Sequence, residues 1–129
     1  MIEITSQAKL FILSEARAMM PTIVTLTERH YQRWLPSKLR LEKMISNDPR
    51  RPEIEQRYEA EVDHWRAKIA RLGAVPSALW TVEFDVGDGC LQWRFPELTL
   101  GHFRAGGVSN SCRIKLAEYI EMQDPDWAR

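Results

Sequence analysis

The segment Trp80-Thr81-Val82-Glu83-Phe84-Asp85-Val86 and the segment Leu91-Gln92-Trp93-Arg94-Phe95, separated by Gly87-Asp88-Gly89 and Cys90, leave a folding chain few options. Apolar and polar residues alternate on both sides of a turn signal, and a period of two places successive side chains on opposite faces of a strand. With Asp88-Gly89 as a two-residue type I′ loop, Val86 faces Leu91, Phe84 faces Trp93 and Val82 faces Phe95. The other face then pairs Asp85 with Gln92 and Glu83 with Arg94. A slip of one residue, with Gly87-Asp88-Gly89 as the loop, would set Leu91 and Trp93 beside Asp85 and Glu83, so the patterning rejects it. A similar turn at Pro96-Glu97 makes Leu98 to Arg104 a third strand, pairing Phe95 with Leu98, Trp93 with Leu100 and Leu91 with His102. On that register His102 lies on the apolar face.

Upstream the period changes to that of a helix. Ile54, Tyr58, Val62, Trp65, Ile69 and Leu72 recur at steps of three and four, which confines them to one stripe, and Gly73 supplies a left-handed stop. Glu53 and Arg57, then Arg57 and Glu61, are spaced for ion pairs on the solvent side. An earlier helix starts after Ser14, a capping residue, and carries Ala16, Met20, Ile23, Thr27, His30 and Trp34 on one face. Pro21 and Pro36 predict a kink or restart in it, the stronger near Pro36. Ser46-Asn47-Asp48-Pro49 turns the chain back. The fold class expected is therefore α+β: an antiparallel helical hairpin over about residues 14–73, packed with a three-stranded antiparallel β-meander over about residues 78–104. A flexible Gly106-Gly107 stretch, a weak strand or helix from Arg113 to Met122 and a loose tail complete a single expected domain.

Composition narrows the function classes. Eighteen basic residues balance eighteen acidic ones, whereas a nucleic-acid binder usually carries a cationic excess to neutralise phosphates. Cys90 and Cys112 form no close pair, so neither a disulfide framework nor a zinc-knuckle spacing is present, and reduced thiols in the cytoplasm are expected. Met1 to Ala8 lacks a basic segment followed by a long apolar run, and Leu10 to Leu13 is too short to cross a bilayer, which gives no support for secretion or membrane insertion.

Phe11 with Ser14-Glu15-Ala16-Arg17-Ala18-Met19-Met20-Pro21, and Trp80 to Asp85 through Gly87-Asp88-Gly89 to Trp93-Arg94-Phe95-Pro96-Glu97, together resemble the bacterial domain of unknown function 2203 family. The likeness spans about residues 9–114. It implies shared positions at Glu83, Phe84, Trp93, Arg94, Glu97, His102 and Gly107. Gln92 stands where the family tends to have Cys, Gly101 and Val108 replace aromatic residues, and the spacing to Arg113 is stretched. The family brings no assigned activity with it.

The candidate site residues follow from residue chemistry. His102, Glu97 and His30 are the types that hold a divalent transition metal, although no close pair such as His-x-x-x-His fixes two ligands on one element, and a core histidine with ordinary hydrogen bonds is the commoner outcome. Glu83, Arg94, Glu97 and His102 are the candidates for a small polar or anionic ligand, against the commoner reading of Glu83 and Arg94 as a surface ion pair. Cys90 lacks an adjacent base and reads as an inert thiol. With no catalytic motif and a wide apolar stripe on the first helix, the expectation is a cytoplasmic, non-enzymatic interaction protein that forms a homodimer through the helical hairpin. The alternative is a metal- or small-ligand-binding domain, even an enzyme, centred on His102 and Glu97.

Overall fold

The computed structural model describes residues 9–105 and 113–122. Met1 to Ala8, Gly106-Gly107 through Ser111, Cys112 and the tail from Gln123 lie outside the described residues, and so do the expectations placed on them. Two long helices, α1 (Leu13–Lys43) and α2 (Arg51–Arg71), precede five strands: β1 (Val75–Ala78), β2 (Thr81–Asp85), β3 (Gly89–Arg94), β4 (His102–Ala105) and β5 (Ile114–Lys115). A short helix, α3 (Leu116–Met122), follows. The α+β class and the helical hairpin stand, and the expected three-stranded meander becomes a five-stranded one, ordered β1-β2-β3-β4-β5 with every neighbour antiparallel.

α1 begins at Leu13, so Ile12 rather than Ser14 occupies the cap position, and its amide donates to Glu15 Oε1 at 3.1 Å. The helix continues through Pro21 and Pro36 as one 31-residue element, which corrects the expected restart. Each proline deprives the carbonyl four residues earlier of a bond; those positions, Arg17 and Gln32, are exposed like the prolines themselves, so water can take the freed acceptors. The opposite side holds the helix in place. Ala16, Met20, Ile23, Thr27, His30 and Trp34 are buried, and Val62, Trp65 and Ile69 of α2 and the apolar sheet face form one core with the apolar members of that stripe. The wide stripe is thus covered within the chain. α2 ends as expected at Gly73, whose φ is +90°.

The first hairpin of the sheet begins ahead of the alternating run, at Val75–Ala78, and its turn falls on Trp80, the residue read as the start of that run. Leu79 and Trp80 turn the chain between β1 and β2, and Trp80 takes φ +53°, a region that costs a non-glycine residue about 1–3 kcal/mol. Its indole is enclosed by Tyr31, Trp34 and Trp65 at 4.9–5.9 Å between centroids, and that burial offsets the backbone strain. Leu10 and Phe11 lie against the end of β2: the Phe11 amide donates to the Asp85 carbonyl at 2.7 Å, while the Lys9 amide reaches the Gly73 carbonyl.

Two registers decide which side chains share a face. Between β2 and β3, Phe84 lies opposite Leu91, Val82 opposite Trp93, Glu83 opposite Gln92 and Thr81 opposite Arg94. The loop is Gly87-Asp88, with Gly87 at φ +103° and the Val86 amide donating to the Gly89 carbonyl at 3.0 Å, in place of the expected Asp88-Gly89 loop. The expected pairs are therefore displaced by two residues, and a displacement of two leaves every side chain on its expected face. The rejected one-residue slip is indeed absent. Between β3 and β4, however, Leu91 lies opposite Phe103 and Gln92 opposite His102. This is an odd displacement from the expected pairing of Leu91 with His102, and it inverts β4. The cause is the connection: residues 95–101, with a cis Phe95-Pro96 bond, form a loop in place of the expected tight turn. Phe103 takes the core position and stacks on Tyr119 of α3 at 3.6 Å.

Gly89 is required by closeness and not by its φ. A Cβ there would lie 2.4 Å from the Arg104 carbonyl oxygen, 2.5 Å from the Phe103 ring and 3.0 Å from the Ala105 Cα. Gly89→Ala is expected to destabilise the chain by about 1–3 kcal/mol by forcing β4 away from β3. A thermal melt within experimental error of the parent would refute this.

Candidate functional site

The second face of the sheet, expected to face solvent, holds buried charge. Cys90 and Gln92 of β3, Glu83 of β2, and His102 and Arg104 of β4 share it through the pairings described above. Glu83 and Gln92 are buried. Arg104 grips Glu83 with two bonds, Nε to Oε2 and Nη2 to Oε1, both 2.8 Å, and Gln92 Nε2 donates to the same carboxylate at 2.7 Å. Burial opposes the charge on Glu83, but the hydrogen bonds from Arg104 and Gln92 outweigh it and hold the carboxyl below its ordinary value. The expected partner, Arg94, is elsewhere: it lies opposite Thr81, and its backbone amide donates to Glu97 Oε1 at 2.8 Å. The two-residue displacement of the hairpin accounts for the exchange.

Cys90 is half-buried beside this pair, with Arg104 Nη2 3.9 Å from its sulfur. Burial, reinforced by the Glu83 charge, pushes its thiol up to about 11. At neutral pH it is a thiol and not a thiolate nucleophile.

A second cluster forms where the 95–101 loop meets β4 and Arg113. Arg113 donates from both terminal nitrogens to Glu97, at 3.1 and 3.2 Å, and reaches the Gln92 carbonyl at 3.4 Å. His102 Nδ1 stands 3.4 Å from Glu97 Oε2, within ion-pair reach but without a hydrogen bond. Burial and the Arg113 charge lower the His102 pKa against the pull of Glu97, and Arg94 and Lys115 add to the lowering, so the imidazole is neutral at physiological pH. The loop is firm: Trp93 Nε1 donates to the Glu97 carbonyl at 2.8 Å, and the Glu97 amide bonds the Arg94 carbonyl at 2.8 Å.

Of the expected metal set, Glu97 and His102 come together and His30 does not join them. His30 is buried in the seam of the helical hairpin, where its Nδ1 bonds Glu61 Oε2. Among the described residues no group of three or more His, Cys, Asp or Glu side chains gathers as a metal centre would require. His102 itself lies on the polar face, not the apolar one, because of the inverted β4.

Sequence reasoning missed Arg104, Arg113 and Glu61. Arg104 is two residues from His102, so the correct register alone would have placed it beside Glu83. Glu61 was assigned to Arg57; its place next to Val62, on the border of the α2 stripe, was the available signal.

The outer side of α1 presents a different feature. An open groove of about 680 Å³ lies between α1 and the 95–101 loop, lined by apolar Met20, Pro21, Val24, Leu98 and Leu100 together with Arg17, Thr25 and Thr99. Leu98 is 93% exposed. Beyond Arg17 and Leu100, which both spaces share, a pocket of about 410 Å³ runs under His102, Lys115 and α3. No described helix is long and apolar enough to cross a membrane. No family model matches the chain, and no curated protein or solved structure does either.

Proposed function

We propose that the chain is a cytoplasmic, non-catalytic interaction protein that pairs with a second copy of itself through the outer face of the hairpin. The observation that carries this reading is Leu98, an exposed leucine that projects from the wall of a largely apolar groove on the same face. A two-fold interface uses one patch twice, so each copy must present both a projection and a recess that receives it. An isolated exposed leucine needs no explanation, but one held on a pinned loop next to a recess of its own character is what such pairing needs. The hydrogen bonds of Trp93, Arg94 and Glu97 hold that loop before any partner arrives, which limits the ordering entropy lost on association. The resemblance to the domain of unknown function 2203 family belongs to this reading as well, since Arg94, Glu97 and His102, three of the positions that carry it, meet at the base of the same loop.

The expected result is a dimer mass by light scattering at low micromolar concentration. Leu98→Glu should weaken pairing by about 30-fold or more, the behaviour of a central anchor, with an unchanged circular dichroism spectrum. A strict monomer for the parent chain, or an unaffected dimer for Leu98→Glu, would refute the proposal.

A divalent metal at Glu97 and His102 is the competing reading, favoured by their 3.4 Å approach. Arg113 already places a cation on Glu97, so a metal would have to displace it. Metal analysis of untagged protein decides: stoichiometric metal lost in His102→Ala supports that site.

A further inference from the structure

The pocket of about 410 Å³ at the end of α1 combines two kinds of wall. Leu116 and Ile120 of α3, with Ala117 between them, and Leu100 from the 95–101 loop form an apolar side. Arg17, Lys115 and the edge of His102 form the other, and no acidic side chain lines it among the described residues. Neither Arg17 nor Lys115 has an ion-pair partner among those residues, in a chain where most charged side chains near the sheet are paired. Glu97, the carboxylate beside His102, lies outside the pocket lining and already carries Arg113 as its counter-charge.

Unpaired cations across from an apolar wall complement a molecule that is negative at one end and apolar along its body. The space falls within the range of small-molecule sites, about 300–1,000 Å³. We propose that the pocket lined by Arg17, His102, Lys115, Leu100, Leu116 and Ile120 binds a small free carboxylate with an apolar body, such as a medium-chain aliphatic acid. The carboxylate lies between Arg17 and Lys115, with His102 beside it, and the chain lies on Leu100, Leu116 and Ile120. The shared residues Arg17 and Leu100 let a longer chain extend toward the α1 groove.

Titration calorimetry with octanoate tests this on the whole chain. Saturable binding is expected, and the double variant Arg17→Gln, Lys115→Gln should bind about tenfold more weakly, because its exposed substitutions remove charge without disturbing the core. Octanol should lose at least as much as the double variant does. Ala117→Trp, an exposed substitution that fills the pocket, should abolish binding while leaving the melting curve unchanged. In Leu98→Glu, which addresses self-association separately, octanoate affinity should match the parent. Absence of saturation, equal binding of octanol and octanoate, tighter binding of inorganic phosphate than of octanoate, unimpaired binding by a folded Ala117→Trp, or loss of binding in Leu98→Glu would each overturn the proposal.

Discussion

Arg104→Met is expected to destabilise the chain by about 3–5 kcal/mol at neutral pH, because it leaves the Glu83 carboxylate buried with its counter-charge gone. Glu83 is 3% exposed and Arg104 gives its carboxylate two hydrogen bonds and the counter-charge, so neither water nor the neutral Gln92 can replace what is lost. The same geometry sets the pH dependence. In the parent, the Glu83 pKa is lowered on folding; its contribution is full above the unfolded carboxylate value and fades as pH falls through the lower folded one. In the variant, desolvation, the largest influence on Glu83, is no longer outweighed by Arg104 and is opposed only by the weaker hydrogen bonds of Gln92 and Cys90, so the pKa rises and the deficit should shrink as pH falls and the carboxyl takes up a proton. Adding Glu83→Gln should recover part of the stability, since an amide can stay buried beside Gln92 without a net charge. Urea denaturation of the three proteins at neutral and acid pH reads all of this. A loss below about 1 kcal/mol for the single variant would show that the pair acts as an exposed one.

Trp65→Ala should cost a similar amount, about 3–5 kcal/mol, for an apolar reason. Trp65 is fully buried between α1 and the sheet, its ring 4.9 Å from Trp80, and its Nε1 donates to Thr27 Oγ1 at 2.8 Å. Truncation opens a cavity where helices and sheet meet and orphans a buried hydroxyl. Trp65→Phe keeps most of the volume but not the donor, and should fall between parent and alanine variant. Denaturant midpoints with an unchanged slope are the measure, and an alanine variant within about 1 kcal/mol of the parent would mean that the core collapses freely around the gap.

Both predictions touch features that the sequence showed unevenly. The helical stripe of α2 was readable because its period is long and clean, and Gly73 marks its end through a backbone preference that few other residues share. The β2–β3 pairing was readable as to face but not as to partner, since Gly87-Asp88 and Asp88-Gly89 are both plausible loops, one residue apart, and moving between them shifts the pairing by two residues. β1 was not readable as a separate strand. Trp80 fits the alternation perfectly, and only its tertiary neighbours Tyr31, Trp34 and Trp65 make a turn at that position favourable.

The site was harder. Glu97 and His102 were named for their chemistry and do meet, but His102 was assigned to the wrong face because a loop around Pro96 changed the register by an odd number of residues. That one change also concealed Arg104. Charges on a sheet face usually indicate solvent, and nothing local in Thr81-Val82-Glu83 reveals that Glu83 is buried; its burial depends on Arg104, 21 residues further along the chain. His30 looked like a ligand because it interrupts an apolar stripe, and it belongs there because Glu61 faces it from the other helix.

The long hairpin has a boundary of its own. Its last buried position on α1 is Trp34, no residue from 35 to 50 is buried, and the return at the tip is tied mainly by Arg51 to the Leu41 and Met44 carbonyls and by Asp48 to Arg50. The tip is therefore an overhang, an element whose length is decoupled from the core. Burial on α2 begins at Ile54, so matched residues could be removed from the stretch before it to shorten the protrusion without opening the sheet. In an evolving lineage this is where helix length could drift while the tryptophan cluster at the base stays fixed.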